Sequence, residues 1–403
     1  MSLPWRERDF RRCEMGKEGF ERVAVIGAGS MGHGIAELFA MHGYEVNLVD
    51  LREEILREAL RKIEKSLGII GELEEDIGEI LGRIHPTTDL GEALEKADFA
   101  LEAATEKLEL KRELFRKMDR FLPHEAILST NTSSIRISSL AEVTSRPERV
   151  IGTHFVHAPQ RVDGFMPPHF SILLPLVEVV KTDFVLEEVL ELTVELMKGI
   201  GKVPEVVKDS PAFVANRLLV RGGLEAYHAL EEADPYEIDA SAIYGLGMPL
   251  GIFQLIDVIG LDVALYILEY LQVELGKDYS PPEDLKALVE EGYLGQKSGR
   301  GFYDYSQGVP EVKREDWKTF DPLRLLAPMV NEVCGMIQKG ITNANQVERI
   351  SSLSFLPRGI FSLAEEFGVG KIVKKLEELR PRGEWYEPSP LLRKIGSFSE
   401  LQA

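Results

Sequence analysis

The sequence predicts a doubly wound α/β domain, then an all-α domain, then a degenerate second copy of that helical domain. Three observations carry the prediction. Short apolar segments alternate with amphipathic ones from Val23 to Val207, the rhythm of strands joined by crossover helices. After Asp209-Ser210-Pro211 only helical spacing remains. Finally, M-P-L-G-I-F-Q-L-I-D-V-I-G-L from Met248 returns as L-P-R-G-I-F-S-L-A-E-E-F-G-V from Leu356. Pro249, Gly251, Ile252, Phe253, Leu255 and Gly260 recur as Pro357, Gly359, Ile360, Phe361, Leu363 and Gly368 at one constant offset, which chance rarely produces.

In chain order, Val23 begins a strand that runs into a glycine-rich turn and a helix through Met41. Tyr44 to Val49 reads as a second strand ending in Asp50, and Arg52 to Leu67 as a long charged helix. Glu72 to Arg83 pairs with that helix as an insertion before the next strand, with His85-Pro86 in a loop. Phe99 to Ala103 and Ala126 to Ser129 are short buried strands separated by a helix, and Leu176 to Val180 and Val203 to Val207 are further strands. Phe213 to Leu230 is a long helix, Val258 to Leu275 contains another, and Gly295 to Tyr305 closes the helical domain.

The expected division is an N-terminal extension over 1–20, with Met15 a candidate native start, and a dinucleotide-binding domain over 21–208 with its helical-pair insertion at 52–84. A helical domain over 209–305, a linker over 306–320 and the degenerate copy over 321–403 follow. A chain of 403 residues is too long for one ordinary core. The charged first twenty residues lack the apolar stretch of a secretory signal, and no run approaches membrane-spanning length. The net charge of −20 argues against nucleic acid or an anionic membrane as partner. Cys13 and Cys334 are far apart and in no metal-ligand spacing, so no metal is expected and a cytoplasmic location fits.

Gly27, Gly29 and Gly32 form G-x-G-x-x-G between the first strand and its helix. The first glycine permits the tight turn, the second admits a pyrophosphate to the backbone, and the third lets helix and strand pack closely. Such a motif alone is weak evidence. Here a strand precedes it, a helix follows, and Asp50 ends the next strand, where a carboxylate accepts from ribose hydroxyls and repels a 2′-phosphate. The expectation is a Rossmann-type domain that binds NAD rather than NADP.

Downstream lie Ser133 in N-T-S-S, His154 in G-T-H-F, Glu178 in L-V-E-V-V and Asn216 in N-R-L-L-V. Oxidising a secondary alcohol requires a group that takes the hydroxyl proton as hydride leaves carbon, and histidine titrates in the right range. A carboxylate on its other ring nitrogen fixes the tautomer and stabilises the imidazolium. In this order and with these flanks, the four residues and the fingerprint resemble the 3-hydroxyacyl-CoA dehydrogenase family over about Arg22 to Tyr305, and the repeat is also seen in larger fatty-acid-oxidation enzymes of that family. The resemblance implies His154 as base, Glu178 as its orienting carboxylate, and Ser133 and Asn216 as ligands of the substrate oxygen. It also implies an acyl-CoA substrate and cofactor-side roles for Glu106 and Lys111, which on physical grounds alone could equally be solvated helix charges; Ser30, Met31 and Asn131 are expected cofactor contacts beside the three glycines and Asp50.

Three departures from the family pattern stand out. The usual H-F-F-N-P is His154-Phe155-Val156-His157-Ala158 here, and about a dozen extra residues separate His154 from Glu178. That insertion, 158–173, forms either a lid or a longer surface loop, and its His169, with His157, is the only rival base. Leu73 stands where the family often has a lysine facing the CoA phosphates, a charge that Arg57, Arg61, Lys62 and Lys65 could supply instead. The leading expectation is therefore NAD-dependent oxidation of an L-3-hydroxyacyl-CoA. The alternatives are a dehydrogenase of a free hydroxy acid or sugar acid, and an inactive dinucleotide-binding structural protein. In the second copy Leu323 or Arg324 falls at the place of Asn216 and no second catalytic set exists, so its expected role is packing as an intramolecular pseudo-dimer.

Overall fold

The computed structural model describes residues 20–70, 75–156 and 174–402. Cys13, Met15, Leu73, His157, His169 and the insertion 158–173 lie outside them. The chain divides into two compact units. Of the described residues, the first comprises 20–70, 75–132, 137–155 and 174–206; the second comprises 133–136, 156 and 207–402.

The first unit is built on one sheet. Its strands are β1 (Arg22–Ile26), β2 (Glu45–Val49), β3 (Ile84–Thr87), β4 (Phe99–Glu102), β5 (Ile127–Thr130), β6 (Val150–Phe155), β7 (Leu176–Lys181) and β8 (Val203–Lys208). They lie in the order β3-β2-β1-β4-β5-β6-β7-β8. Pairing is parallel from β3 to β6, and β6 meets β7 antiparallel. Strand β6 was not among the expected strands, and two further points differ from the expectation. His85-Pro86 is not loop but the middle of β3, the edge strand on one side, where a residue without an N–H is tolerated. The sheet is also not wholly parallel, because it reverses at β7.

The helices of this unit are α1 (Ser30–Met41), α2 (Glu53–Ile70), α3 (Ile77–Gly82), α4 (Leu90–Leu94), α5 (Leu108–Phe121), α6 (Ser138–Ala141) and α7 (Glu187–Gly199). In α2 the buried Leu56, Ala59, Ile63, Ser66 and Leu67 follow helical spacing, and Glu53 and Glu54 sit in the first turn, where the helix dipole favours them. Val23, Val25, Val46, Leu48, Phe99 and Leu101 from the strands pack with Ile35, Phe39 and Ile63 from α1 and α2.

Within this core lies an unexpected carboxyl group. Glu37 on α1 is fully buried, and burial pushes its pKa from 4.5 to about 8, the neighbouring Ser66 hydroxyl offsetting only part of the shift. A raised carboxyl pKa means that folding takes up a proton above pH 4.5. The folded state then loses about 1.4 kcal/mol per pH unit until pH 8, roughly 3 kcal/mol at pH 7. Glu37→Gln should therefore raise the melting temperature at pH 7 to 8 and change it little near pH 4.5. A shift of equal size at both ends of that range, read by thermal melts, would contradict the assignment.

The second unit is helical: α8 (Ala215–Ala229), α9 (Pro235–Ala240), α10 (Ile252–Ile259), α11 (Leu261–Leu275), α12 (Glu283–Glu290), α13 (Leu323–Gln338), α14 (Ala344–Ser354), α15 (Ile360–Phe367) and α16 (Val369–Leu379). The starts of α8, α10 and α11 recur 108 residues later as the starts of α13, α15 and α16. Even the capping is repeated. Asp239 accepts from the N–H groups of Phe253 and Gln254 at 2.9 and 3.0 Å, and Glu348 from those of Phe361 and Ser362 at 2.8 and 3.0 Å. The segment 306–320 is tied to the first copy: Tyr244 and Gln254 donate to the carbonyls of Val312 and Pro310 at 3.1 and 3.0 Å.

Helix α8 packs against α13. The contacts are reciprocal to within one residue. Arg324, 108 residues beyond Asn216, pairs with Glu225 at 2.8 Å, and Arg217 pairs with Glu332, which stands 108 residues beyond Leu224. The first turn of each helix thus meets the third turn of the other.

Candidate active site

The fingerprint folds as its glycines require. Gly27 has φ +106°, a conformation that L side chains rarely adopt, and its N–H donates to the carbonyl of Val49 at 2.7 Å. A Cβ on Gly32 would stand 1.7 Å from the Gly27 carbonyl oxygen, so only glycine lets α1 approach the turn. A Cβ on Gly29 would meet no atom within 4 Å. The space over Gly29, at the N-cap of a 12-residue helix with no acidic residue in its first turn, is the cradle a pyrophosphate needs. Ser30 and Met31 open that helix, Ser30 exposed and Met31 half-buried.

Asp50 is held at the end of β2 by two backbone amides. Ala28 N–H donates to Oδ2 at 3.0 Å and Leu51 N–H to Oδ1 at 2.8 Å. The carboxylate is thereby tied to the glycine turn.

Glu106 and Lys111 belong to a network whose centre, Glu102, the sequence reading missed. Lys111 is buried; its ammonium donates to both carboxylate oxygens of Glu102 at 2.7 and 2.9 Å and to the Ala104 carbonyl at 3.2 Å, and lies 3.2 Å from Glu106. Thr130 and the Ala104 N–H complete the coordination of Glu102 at 2.7 and 2.6 Å, and Thr132 donates to Glu106 at 2.5 Å. Burial opposes the charge on Lys111, but Glu102 and then Glu106 outweigh it and raise the pKa above the usual lysine range. The cluster ties the ends of β4 and β5 to α5. A buried glutamate closing the strand F-A-L-E was the available signal.

His154 and Glu178 are direct partners in the antiparallel β6–β7 pair. Both are buried, and His154 Nδ1 lies 2.8 Å from Glu178 Oε2. Facing positions on two neighbouring strands fix this pair more firmly than loops could. Asn131 accepts from the Phe155 N–H at 2.8 Å, which anchors the chain immediately after His154.

Ser133 and Asn216 meet in the second unit, where Asn216 Nδ2 donates to the Ser133 carbonyl at 2.9 Å. The turn leading to Asn216 is strained. Ala212 and Phe213 have φ +58° and +47°, the only non-glycine residues in the left-handed region among those described, at a cost of about 1–2 kcal/mol each. The Ala212 N–H donates to the Ser134 carbonyl at 2.9 Å. Of the other histidines, His33 bonds the Gly29 carbonyl through Nδ1, and His85 pairs on the surface with Glu45 at 2.7 Å.

Comparison with known proteins decides the class. The model of the 3-hydroxyacyl-CoA dehydrogenase NAD-binding domain matches residues 22–210, and that of the C-terminal domain matches 213–305 and 322–403. The chain belongs to the 3-hydroxyacyl-CoA dehydrogenase family. It is an NAD-dependent oxidoreductase. It is 36% identical over 298 residues to the mitochondrial hydroxyacyl-coenzyme A dehydrogenase of Sus scrofa, covering 71% of this chain and 91% of that one. It is 39% identical over 293 residues to the 3-hydroxyadipyl-CoA dehydrogenase of Escherichia coli K12, covering 71% of this chain and 59% of that one. The crystal structure of a 3-hydroxybutyryl-CoA dehydrogenase from Escherichia coli K12 superposes with a TM-score of 0.78 at 29% identity, over 93% of this chain and 98% of that one. Among the described residues no helix is long and apolar enough to cross a membrane.

Proposed function

We propose that this member of the family oxidises L-3-hydroxyacyl-CoA to 3-oxoacyl-CoA, reversibly, with His154 as general base and acid. The observation that carries the reading is the buried 2.8 Å pair between His154 Nδ1 and Glu178, in the unit that bears the NAD fingerprint. With Nδ1 turned to the carboxylate, Nε2 is the nitrogen that takes the hydroxyl proton, and Glu178 stabilises the imidazolium that results. Bound NAD supplies the hydride acceptor. Ser133 and Asn216 receive the substrate oxygen, and Ser30, Met31, Glu106 and Asn131 line the cofactor, with Lys111 holding Glu106. The thioester's CoA phosphates fall to the basic side of α2, where Arg57, Arg61, Lys62 and Lys65 are exposed. Reduction of NAD by L-3-hydroxybutyryl-CoA but not by the D enantiomer, followed by NADH absorbance, tests the reading; equal rates with both would sink it.

The preference for NAD rests on Asp50. In Asp50→Asn the side chain keeps an acceptor for the Ala28 amide but loses the charge that meets a 2′-phosphate. The ratio of KM values for NADPH and NADH should narrow by roughly 10- to 100-fold, the worth of a charge-assisted hydrogen bond. An unchanged ratio would show that another group sets the preference.

We also propose the division at 208/209, 305/306 and 320/321; matches of the two family models over 22–210, 213–305 and 322–403 support it. We read the second copy as an intramolecular pseudo-dimer partner of the first, a reading supported by the reciprocal contacts of α8 and α13 and the paired caps. Cytoplasmic residence is part of the same proposal, on the two cysteines alone.

A further inference from the structure

Glu332 sits in the second copy, on α13, yet its contacts reach the helix that carries Asn216. Its carboxylate accepts from Arg217 Nη2 and Nε at 2.5 and 2.9 Å, from Arg221 at 3.3 Å and from the Tyr279 hydroxyl at 2.8 Å. The Arg221 guanidinium also lies over the Tyr279 ring, 4.4 Å from its centre. Arg217 follows Asn216 directly in sequence. Its side chain donates to the Pro211 carbonyl at 3.4 Å and its backbone N–H to the Ala212 carbonyl at 3.2 Å. One of these carbonyls precedes the left-handed Ala212 and the other joins it to Phe213; their turn is bonded to Ser134, while Asn216 is bonded to Ser133.

A left-handed alanine–phenylalanine pair persists only where its surroundings over-determine it. Simple packing of two helices does not need a largely buried carboxylate, since apolar residues of similar volume do that as well or better. Here the carboxylate is spent on the arginine next to Asn216. At the corresponding position of the second copy Arg324 replaces Asn216 and turns to Glu225 of the first. The copy without a catalytic set has therefore turned its charged groups toward the copy that has one.

We propose that Glu332 is a positioning residue: through Arg217 it holds the Pro211–Phe213 turn, and with it Asn216 and Ser133, so that the second copy completes the substrate site of the first. The proposal rests on the substrate role assigned above to Ser133 and Asn216. It differs from a packing role in what it makes sensitive. Loss of packing lowers the fraction of folded enzyme and with it kcat, whereas loss of the clamp raises KM for the acyl substrate and spares the cofactor.

The test uses the full chain. Glu332→Gln should lower kcat/KM for acetoacetyl-CoA by ~10- to 100-fold, mainly through KM, while KM for NADH stays within about twofold. Hydrogen exchange should quicken in peptides covering 131–136 and 210–217 and stay unchanged over 22–36. If the single variant does not fold, because two buried guanidinium groups lose their countercharge, the double variant Arg217→Gln/Glu332→Gln removes one of them. It should fold and keep the KM defect. Wild-type KM for acetoacetyl-CoA in any folded variant, or unchanged exchange at 210–217, overturns the proposal. A wild-type enzyme inert toward acetoacetyl-CoA would instead refute the functional reading, and the exchange measurement would still decide the clamp.

Discussion

His154→Gln should lower kcat by ~100- to 10,000-fold while leaving KM for NADH within a factor of about two. In the proposed role the imidazole serves only the proton transfer, and glutamine can fill much of its volume between β6 and β7 without titrating. Its buried neighbour Glu178 then faces a neutral amide rather than an imidazole. Glu178→Gln should cost less, because glutamine still accepts from Nδ1–H and lacks only the charge that stabilises the imidazolium. Steady-state kinetics of both variants decide the matter. If His154→Gln retains wild-type kcat and His157→Gln or His169→Gln does not, the base lies in the insertion.

The second large effect concerns the glycine turn. In Gly32→Ala the new Cβ would stand 1.7 Å from the Gly27 carbonyl oxygen, so α1 must lift from the turn. Overpacking of this kind costs about 1–3 kcal/mol, and the displaced helix N-terminus loses the phosphate as well. Affinity for NADH should fall by roughly 100-fold or more, together with a lower melting temperature. Gly29→Ala makes the informative contrast. Its Cβ meets nothing within 4 Å, so the fold should melt as before while NADH binding weakens by a comparable factor. Titration of NADH fluorescence beside thermal melts separates the two. A Gly29→Ala variant that binds NADH normally would show that the pyrophosphate does not lie over that residue.

Where sequence and structure part company, the reasons are physical. The fingerprint, Asp50 and the strand–helix alternation were readable because each depends on local spacing. The facing of His154 and Glu178 was readable only as chain order plus resemblance. Their register comes from an antiparallel pairing, and a strand buried on both faces reads alike whether its neighbour is parallel or antiparallel. Strand β3 was hidden by Pro86, which argues against a strand unless the strand lies at an edge. Glu102, Glu37 and Glu332 look like ordinary surface glutamates in sequence. Only tertiary packing takes them out of water and gives them, respectively, a lysine, a raised pKa and two arginines. Burial pushes Glu37 up, whereas the arginines beside Glu332 overcome its burial and hold its pKa down at about 2. The repeat was legible from Pro249, Gly251 and Gly260, because its turns need those residue types, but the charges joining α8 to α13 stand on residues that differ between the copies, Arg324 for Asn216 and Glu332 for Leu224.

The central claim is that the His154–Glu178 unit works on a CoA thioester with NAD. NADH oxidation followed by absorbance, with acetoacetyl-CoA in one series and free acetoacetate in the other, tests it most directly. The account predicts kcat/KM at least ~100-fold higher for the thioester, because binding energy from the CoA portion is used at the reacting carbon. Equal values for the two, or turnover of acetoacetate alone, would contradict it.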